Sequence, residues 1–261
     1  MSSNLEVMVD FEIKSKGKFT YIEEGPVDGD VIVLLHGLFG TASNFDETIR
    51  AFKDGYRVYL PILPIFDMSV RKLSVYALAE FVKEFTDYFE LENIHLVGNS
   101  LGGHLALLYV LNFGDSVRSM TLTGSSGLYE SAFGNSFPRR GDRDFIRNKI
   151  NLTFYDKDTV TEEMVEEVYG ITSDRIKCLK MVKTAKSAIR HNVGGQLGDI
   201  KIPSLLVWGK QDTITPPMVA EEFHEKLSNS KLVLIDKCGH APMLETPAEF
   251  NLALKEFLLE L

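Results

Sequence analysis

One short run of the chain has the residue types and spacing of an activated nucleophile. Gly98-Asn99-Ser100-Leu101-Gly102, followed by Gly103, fits G-x-S-x-G. It lies between a short apolar run, IHLVG (94–98), and a segment with the length and residue types of a helix, LGGHLALLYVLNF (101–113). A strand that turns sharply into a helix strains the backbone at the central serine. Small neighbours let the turn close and leave the hydroxyl exposed. The new helix N-terminus supplies free N–H groups near that oxygen. The plainer reading of Ser100 is a helix N-cap on a tight turn.

A serine hydroxyl is a poor nucleophile at neutral pH and needs a base. The candidates are His36, His95, His104, His191, His224 and His240. His104 lies one helical turn beyond Ser100 and points into helix packing. His95 opens a strand, His224 sits mid-helix, and His191 falls in a polar stretch that suits the surface. His240 is different. It follows the apolar run KLVLID (231–236) in Lys237-Cys238-Gly239-His240, at the C-terminal end of a strand, the edge where open α/β sheets build their sites. The base in turn needs an orienting carboxylate. Asp212, in Gly209-Lys210-Gln211-Asp212, also stands just past a strand end. Asp236 is its rival, with turn formation as the alternative role. The chain order is then Ser100, Asp212, His240.

The third requirement is a pair of donors for a developing oxyanion. The backbone N–H of Leu101 directly follows the nucleophile. The second donor is expected from the loop His36-Gly37-Leu38-Phe39-Gly40, at the Leu38 N–H. Gly37 permits close backbone approach there, and His36 is expected to brace the loop through hydrogen bonds.

These residues need a scaffold, and the pattern around them supplies one. Residues 5–13 and 19–24 alternate apolar and polar about Gly17, as a hairpin does. VIVLLHG (31–37) reads as a strand buried on both faces, IHLVG (94–98) as a short buried strand, and YRVYLPIL (56–63), MTLTG (120–124), PSLLVWG (203–209) and KLVLID (231–236) as further strands. Between them lie helical patterns near Phe45–Phe52, over 74–90 with Ser74 as N-cap, over 101–113, near 217–227 and near 247–260. Alternation of this kind predicts a mostly parallel eight-stranded sheet with helices on both faces. The rhythm breaks from about 125 to 198, where polar helices at 142–152, 161–169 and 173–190 are expected. We therefore expect a core of 1–124 and 199–261, interrupted by a helical insertion over 125–198.

Composition narrows the function further. The chain has 261 residues, 28 Lys+Arg against 37 Asp+Glu, and a net charge of −9. An acidic chain has no general attraction for phosphate backbones or anionic membranes, so neither nucleic acid nor membrane is expected as a partner. Cys178 and Cys238 form no close-spaced pair and suggest no metal site; two free thiols fit a reducing compartment. No basic-then-apolar leader opens the sequence, and a cytoplasmic protein, monomer or homodimer, is expected.

Four motifs, HGLFG (36–40), VGNSLGG (97–103), WGKQD (208–212) and KCGH (237–240), together resemble the α/β-hydrolase superfamily in order and over nearly the whole chain. The resemblance implies a Ser-Asp-His triad, an oxyanion hole, and a helical cap in place of the insertion. Within the superfamily, GNSLGGH and QLGDIKIPSLLVWGKQD (196–212) are similar to meta-cleavage product hydrolases, which cut carbon–carbon bonds, and Asn99 matches an asparagine beside their nucleophile. The chain departs from them at Ala241, where they carry tryptophan. It offers no clear match to their cap arginine, Arg175 and Arg190 being the nearest. A serine at position 100 also separates it from the dehalogenases and epoxide hydrolases of this fold, which resemble it but use aspartate.

The expected activity is hydrolysis of a small, mostly apolar carboxylic ester through an acyl-enzyme, without metal or organic cofactor. Cleavage of a ring-fission product and a small-molecule receptor role are the alternatives. Arg139, Arg140, Arg143, Arg147 and Lys149 form a basic cluster in the insertion, expected to be a solvated face paired with Asp142 and Asp144. Its other reading is contact with an anionic substrate group. Phe133, Phe137, Phe145, Phe154 and Tyr155 are expected to pack the insertion on the core, with an acyl pocket as the alternative.

Overall fold

Alternate residues of each central strand face opposite layers, and this decides the architecture. The structure is a computed structural model that describes residues 11–39, 42–129 and 142–261. Eight strands form one sheet: β1 (Lys14–Lys16), β2 (Phe19–Glu24), β3 (Asp30–Leu35), β4 (Tyr56–Pro61), β5 (Ile94–Asn99), β6 (Val117–Thr123), β7 (Ser204–Gly209) and β8 (Ser230–Ile235). Their spatial order is β1-β2-β4-β3-β5-β6-β7-β8. The β1–β2 and β2–β4 pairs are antiparallel and the other five are parallel.

Val33 and Leu35 of β3 join Leu96, Leu122, Leu206 and Trp208 on one face. There they pack against α2 (Val75–Tyr88), α3 (Leu101–Phe113) and α7 (Pro217–Lys226). Ile32 and Leu34 turn the other way, joining Val97, Leu205 and Val207 under α1 (Asp46–Phe52) and α9 (Pro247–Leu259). The period-two alternation thus feeds two separate cores, and burial of both holds the sheet between helices.

Between β6 and β7 the described chain has helices and no strand: α4 (Arg143–Asn151), α5 (Glu162–Ser173) and α6 (Arg175–Arg190). Each is capped by its own sequence. Asp142, Thr161 and Asp174 accept the first backbone N–H groups of α4, α5 and α6 through their side chains. Ser74 caps α2 the same way. Four expectations change. In the described part of 5–13, residues 11–13 are not strand. Among the described residues the first strand is Lys14–Lys16, because the two-residue turn at Gly17-Lys18 fixes the register outward from itself. The helix expected at 161–169 runs on to Ser173 and stops where Asp174 starts the next. β6 begins at Val117, three residues early, and a short helix α8 (Pro242–Glu245) follows His240. No helix among the described residues is long and apolar enough to cross a membrane.

Candidate active site

The sheet order brings the candidate residues to one edge. β3 and β5 are parallel neighbours, yet the chain leaves β3 for α1 on one face of the sheet and leaves β5 for α3 on the other. A crevice opens at such a point, at the carboxyl ends of the strands. The loop after β3 and the turn after β5 both sit there.

Ser100 directly follows β5 with φ 55° and ψ −116°, a left-handed conformation that a non-glycine residue adopts at a cost of about 1–3 kcal/mol. The surroundings over-determine it. Its N–H donates to the Thr123 carbonyl at 3.1 Å, and its own carbonyl accepts from the Ser126 N–H at 3.1 Å. A methyl group at Gly102 would stand 1.9 Å from the Leu35 carbonyl oxygen, and one at Gly98 would stand 2.4 Å from the Gly102 oxygen. Only glycine lets strand, turn and helix approach this closely. Ser100 remains partly exposed while its sequence neighbours Gly98, Asn99, Leu101 and Gly102 are buried.

β7 and β8 are parallel neighbours in register, with Gly209 opposite Ile235, so the loops that leave them adjoin. This puts Asp212 against His240. Both are buried, and Asp212 Oδ2 lies 2.9 Å from His240 Nδ1. The Asp212 carboxylate is fixed by three further donors. Oδ1 accepts the N–H groups of Ile214 and Thr215 at 2.8 and 2.9 Å, and Oδ2 accepts the Thr215 hydroxyl at 2.8 Å. Trp208 pins Thr215 in turn, its indole N–H donating to the Thr215 carbonyl at 2.7 Å. Asp236 stays on the surface, where its carboxylate accepts from Gln211 Nε2 at 3.2 Å; that hydrogen bond holds it below the usual carboxylate range.

Two links join the serine side to the histidine side. Asn99 Nδ2 donates to the carbonyls of Thr123 and His240, at 3.0 and 3.1 Å. Gly124, at φ 51° in the turn that holds Ser100, faces the His240 ring so closely that a methyl group there would lie 2.8 Å from Nδ1. Gly37 flanks Ser100 from the other side: a methyl group at that position would lie 3.3 Å from Ser100 Cβ. His36 braces the loop as expected. Its Nε2 accepts the Leu63 N–H at 3.0 Å, which leaves the proton on Nδ1 to meet the Gly37 carbonyl at 2.9 Å. Burial lowers its pKa. Leu38 is partly buried in the same loop, and Leu101 opens α3, where N–H groups have no intrahelical acceptor.

The remaining histidines are engaged elsewhere. His95 Nδ1 meets Ser119 Oγ at 2.7 Å inside the sheet, and His104 Nε2 meets the His191 carbonyl at 2.9 Å. Burial pushes both down to about 4. His224 bonds Ser230 Oγ near the surface, and His191 is half-buried with its ring edge-on to Tyr76.

The basic cluster needs correction. Arg143 and Arg147 pair with Glu166 and Glu162 of α5, and Asp142 is instead the α4 cap. Asp142 is taken up by the Phe145 N–H, while the α5 carboxylates lie within ion-pair reach of both guanidinium groups. Lys149 lies over the Phe145 ring. Arg139, Arg140, Phe133 and Phe137 lie outside the described residues.

Sequence reasoning did not find Thr215 or Thr153. Thr215 carried a faint signal, the Asp-x-x-Thr spacing of a side-chain-closed turn. Thr153, whose carbonyl accepts the His240 N–H at 2.7 Å, carried none.

Comparison with known proteins gives the family. Residues 30–154 and 177–247 match the family described as alpha/beta hydrolase fold. A solved alpha/beta hydrolase enzyme from the metagenome of lagoon sediments at Mar Chica, Morocco, is 44% identical, with 95% of this chain and 98% of that one covered and a TM-score of 0.79. A 2-hydroxy-6-oxo-6-phenylhexa-2,4-dienoate hydrolase of Comamonas testosteroni is 29% identical over 91% of this chain and 90% of its own length. Lipase 1 of Psychrobacter immobilis is 28% identical over 90% and 80%. A strained serine at a strand-to-helix turn, a buried acid–histidine pair on the loops after β7 and β8 and a match over most of the sheet all point one way: the chain belongs to the alpha/beta hydrolase fold family and is a hydrolase.

Proposed function

We propose that the protein hydrolyses a small, mostly apolar carboxylic ester with Ser100 as nucleophile, His240 as base and Asp212 as the group that orients it. The observation that carries this is the buried 2.9 Å contact between Asp212 Oδ2 and His240 Nδ1, beside the turn that holds Ser100. A proton on Nδ1 shared with Asp212 leaves Nε2 as the acceptor. His240 takes the Ser100 proton as Oγ attacks the carbonyl carbon. The N–H groups of Leu38 and Leu101 stabilise the oxyanion. The intermediate collapses, the alkoxide leaves with the proton from His240, and water repeats the sequence to release the acid and restore Ser100.

The insertion over 125–198 acts in this reading as a cap that closes the site over a small-molecule substrate. An uncharged substrate is favoured by the fate of four of the described cations in the cap. Arg143 and Arg147 are ion-paired, Arg190 is exposed and donates to the Lys186 carbonyl, and buried Lys180 donates to the Phe66 carbonyl at 2.6 Å. The second reading is carbon–carbon bond hydrolysis of a ring-fission product, favoured by the dienoate hydrolase relative.

A fluorophosphonate probe tests the nucleophile. Intact mass and peptide mapping should show single labelling at Ser100, lost in Ser100→Ala and strongly slowed in His240→Ala. Full activity of Ser100→Ala on any turned-over ester sinks the assignment. Steady-state rates on p-nitrophenyl esters against a dienoate ring-fission product then separate the two readings.

A further inference from the structure

The loop that carries His240 has three successive backbone N–H groups, and each is held by a different part of the chain. Cys238 N–H donates to Gln211 Oε1 at 3.0 Å, in the loop of the orienting acid. Gly239 N–H donates to Glu245 Oε2 at 2.5 Å, on α8. His240 N–H donates to the Thr153 carbonyl at 2.7 Å, in the helical insertion. The insertion therefore binds the backbone of the base itself.

The strap that does this is residues 152–156, directly after α4. The Leu152 carbonyl accepts the Thr213 hydroxyl at 2.7 Å, which fastens the strap to the acid's loop as well. Gly239 lies so close under it that a methyl group there would stand 2.4 Å from the Thr153 oxygen and 2.9 Å from Phe154 Cα. Glu245 closes the arrangement: its second oxygen, Oε1, accepts the Asp156 N–H at 2.7 Å. One carboxylate thus bridges the strap and the histidine loop, with a charge-assisted hydrogen bond on each side.

We propose that Glu245 is a positioning residue that registers the strap against the His240 loop, so that the insertion sets the orientation of the base. The proposal rests on the triad reading above. Its physical content is that His240 is rigid only when the insertion is docked through this bridge, and a small displacement of a proton-transfer group costs rate far more than binding. Helix α6 of the insertion is tied down elsewhere. Lys183 donates to the carbonyls of Val70 and Arg71, and Ser187 accepts the Val75 N–H, contacts that do not involve the His240 loop.

The experiment compares Glu245→Ala, Glu245→Gln, Lys183→Met and His240→Ala in the full chain. It reads the fluorophosphonate labelling rate at Ser100, kcat and KM on p-nitrophenyl butyrate, the downfield proton resonance of His240 Nδ1–H, and Tm. Glu245→Ala should slow labelling and kcat by roughly 10- to 100-fold, leave KM within about twofold, and shift or broaden the resonance. Glu245→Gln keeps one acceptor and should fall between Glu245→Ala and the wild type, which also covers the case that the alanine variant does not fold. Lys183→Met should lower Tm yet label at the wild-type rate with an unchanged resonance. Wild-type labelling and resonance in both Glu245 variants, with labelling lost in His240→Ala, overturn the proposal and leave the triad standing. So does an equal slowing by Lys183→Met, which would mean that docking of the insertion in general is what counts. Wild-type labelling in His240→Ala removes the triad reading itself.

Discussion

In the sheet core, Ser100 is held by backbone: two hydrogen bonds to the 123–126 turn and glycine approaches that leave no room for a methyl group. In the insertion, α4 and α5 are held to one another by side chains, through the Arg143–Glu166 and Arg147–Glu162 pairs on the surface. Backbone packing around glycine tolerates almost no change, because the neighbouring atoms belong to strands that cannot move independently. Solvated ion pairs tolerate much, each being worth about 0–1 kcal/mol. The core thus fixes Ser100 rigidly, while the paired surfaces of α4 and α5 can change in sequence at little cost.

The largest expected effect tests the core side. Asp212→Asn should cut kcat by about 10⁴ while the fold persists, since it disturbs the tautomer and orientation of His240 rather than the packing. Kinetics on a p-nitrophenyl ester, with circular dichroism as control, check it. Next comes the elbow. Gly102→Ala places a methyl group 1.9 Å from the Leu35 oxygen. It should cost about 3 kcal/mol or more in urea unfolding, or prevent folding.

The acid response separates buried histidines from buried carboxyls by sign. His95 and His104, buried in the core, titrate at about 4 when folded against roughly 6.5 unfolded. Between those values the unfolded chain binds more protons. Their stabilising contribution is therefore full above about 6.5 and is lost as pH falls towards 4, by up to roughly 3 kcal/mol each. Glu167 in α5 runs the other way. Burial pushes its carboxyl up to about 7, so the folded chain binds more protons between about 4.5 and 7 and stability is lost as pH rises through that window. Asp46 in α1, raised to about 6 by burial, adds to that side. Glu167→Gln should therefore raise Tm at pH 8 and leave it unchanged at pH 4, whereas His95→Gln should flatten the acid limb. Calorimetry across pH 4–8 reads both, and a Glu167→Gln gain that persists at pH 4 removes the argument.

The smallest effects belong to the surface of the insertion. Thr161→Ala removes the α5 cap, whose hydroxyl accepts the Met164 N–H, and should cost about 1 kcal/mol. Arg147→Ala should cost less than about 1 kcal/mol and leave KM for a neutral ester unchanged. A large rise in KM would instead place that guanidinium at the substrate.

Much of the site was legible because its residues announce themselves locally. G-x-S-x-G needs only its own strand and helix for its meaning, and Asp212 and His240 each follow an apolar run at a strand's end. The choice of Asp212 over Asp236 was harder to read. It depends on β7 and β8 lying side by side in parallel register, so that the loop after one strand meets the loop after the other, while Asp236 faces solvent. The hairpin start at Lys14 was misjudged because alternation between apolar and polar residues marks a strand only where a partner strand exists.

By itself, the sequence determined the alternation of strands and helices, the break in rhythm after Gly124, the glycines of the elbow and the chain order of the acid and the base. These are local: they follow from side-chain periodicity, turn chemistry and the steric needs of a few adjacent residues. Only the tertiary structure decided that Thr215 and Trp208 hold Asp212, that α4 is paired to α5, and that Thr153 and Glu245 bind the His240 loop. The strap and its loop are separated by about eighty-five residues of chain. Such contacts arise when two buried faces of one sheet bring distant segments within hydrogen-bond reach, and no local pattern encodes that distance.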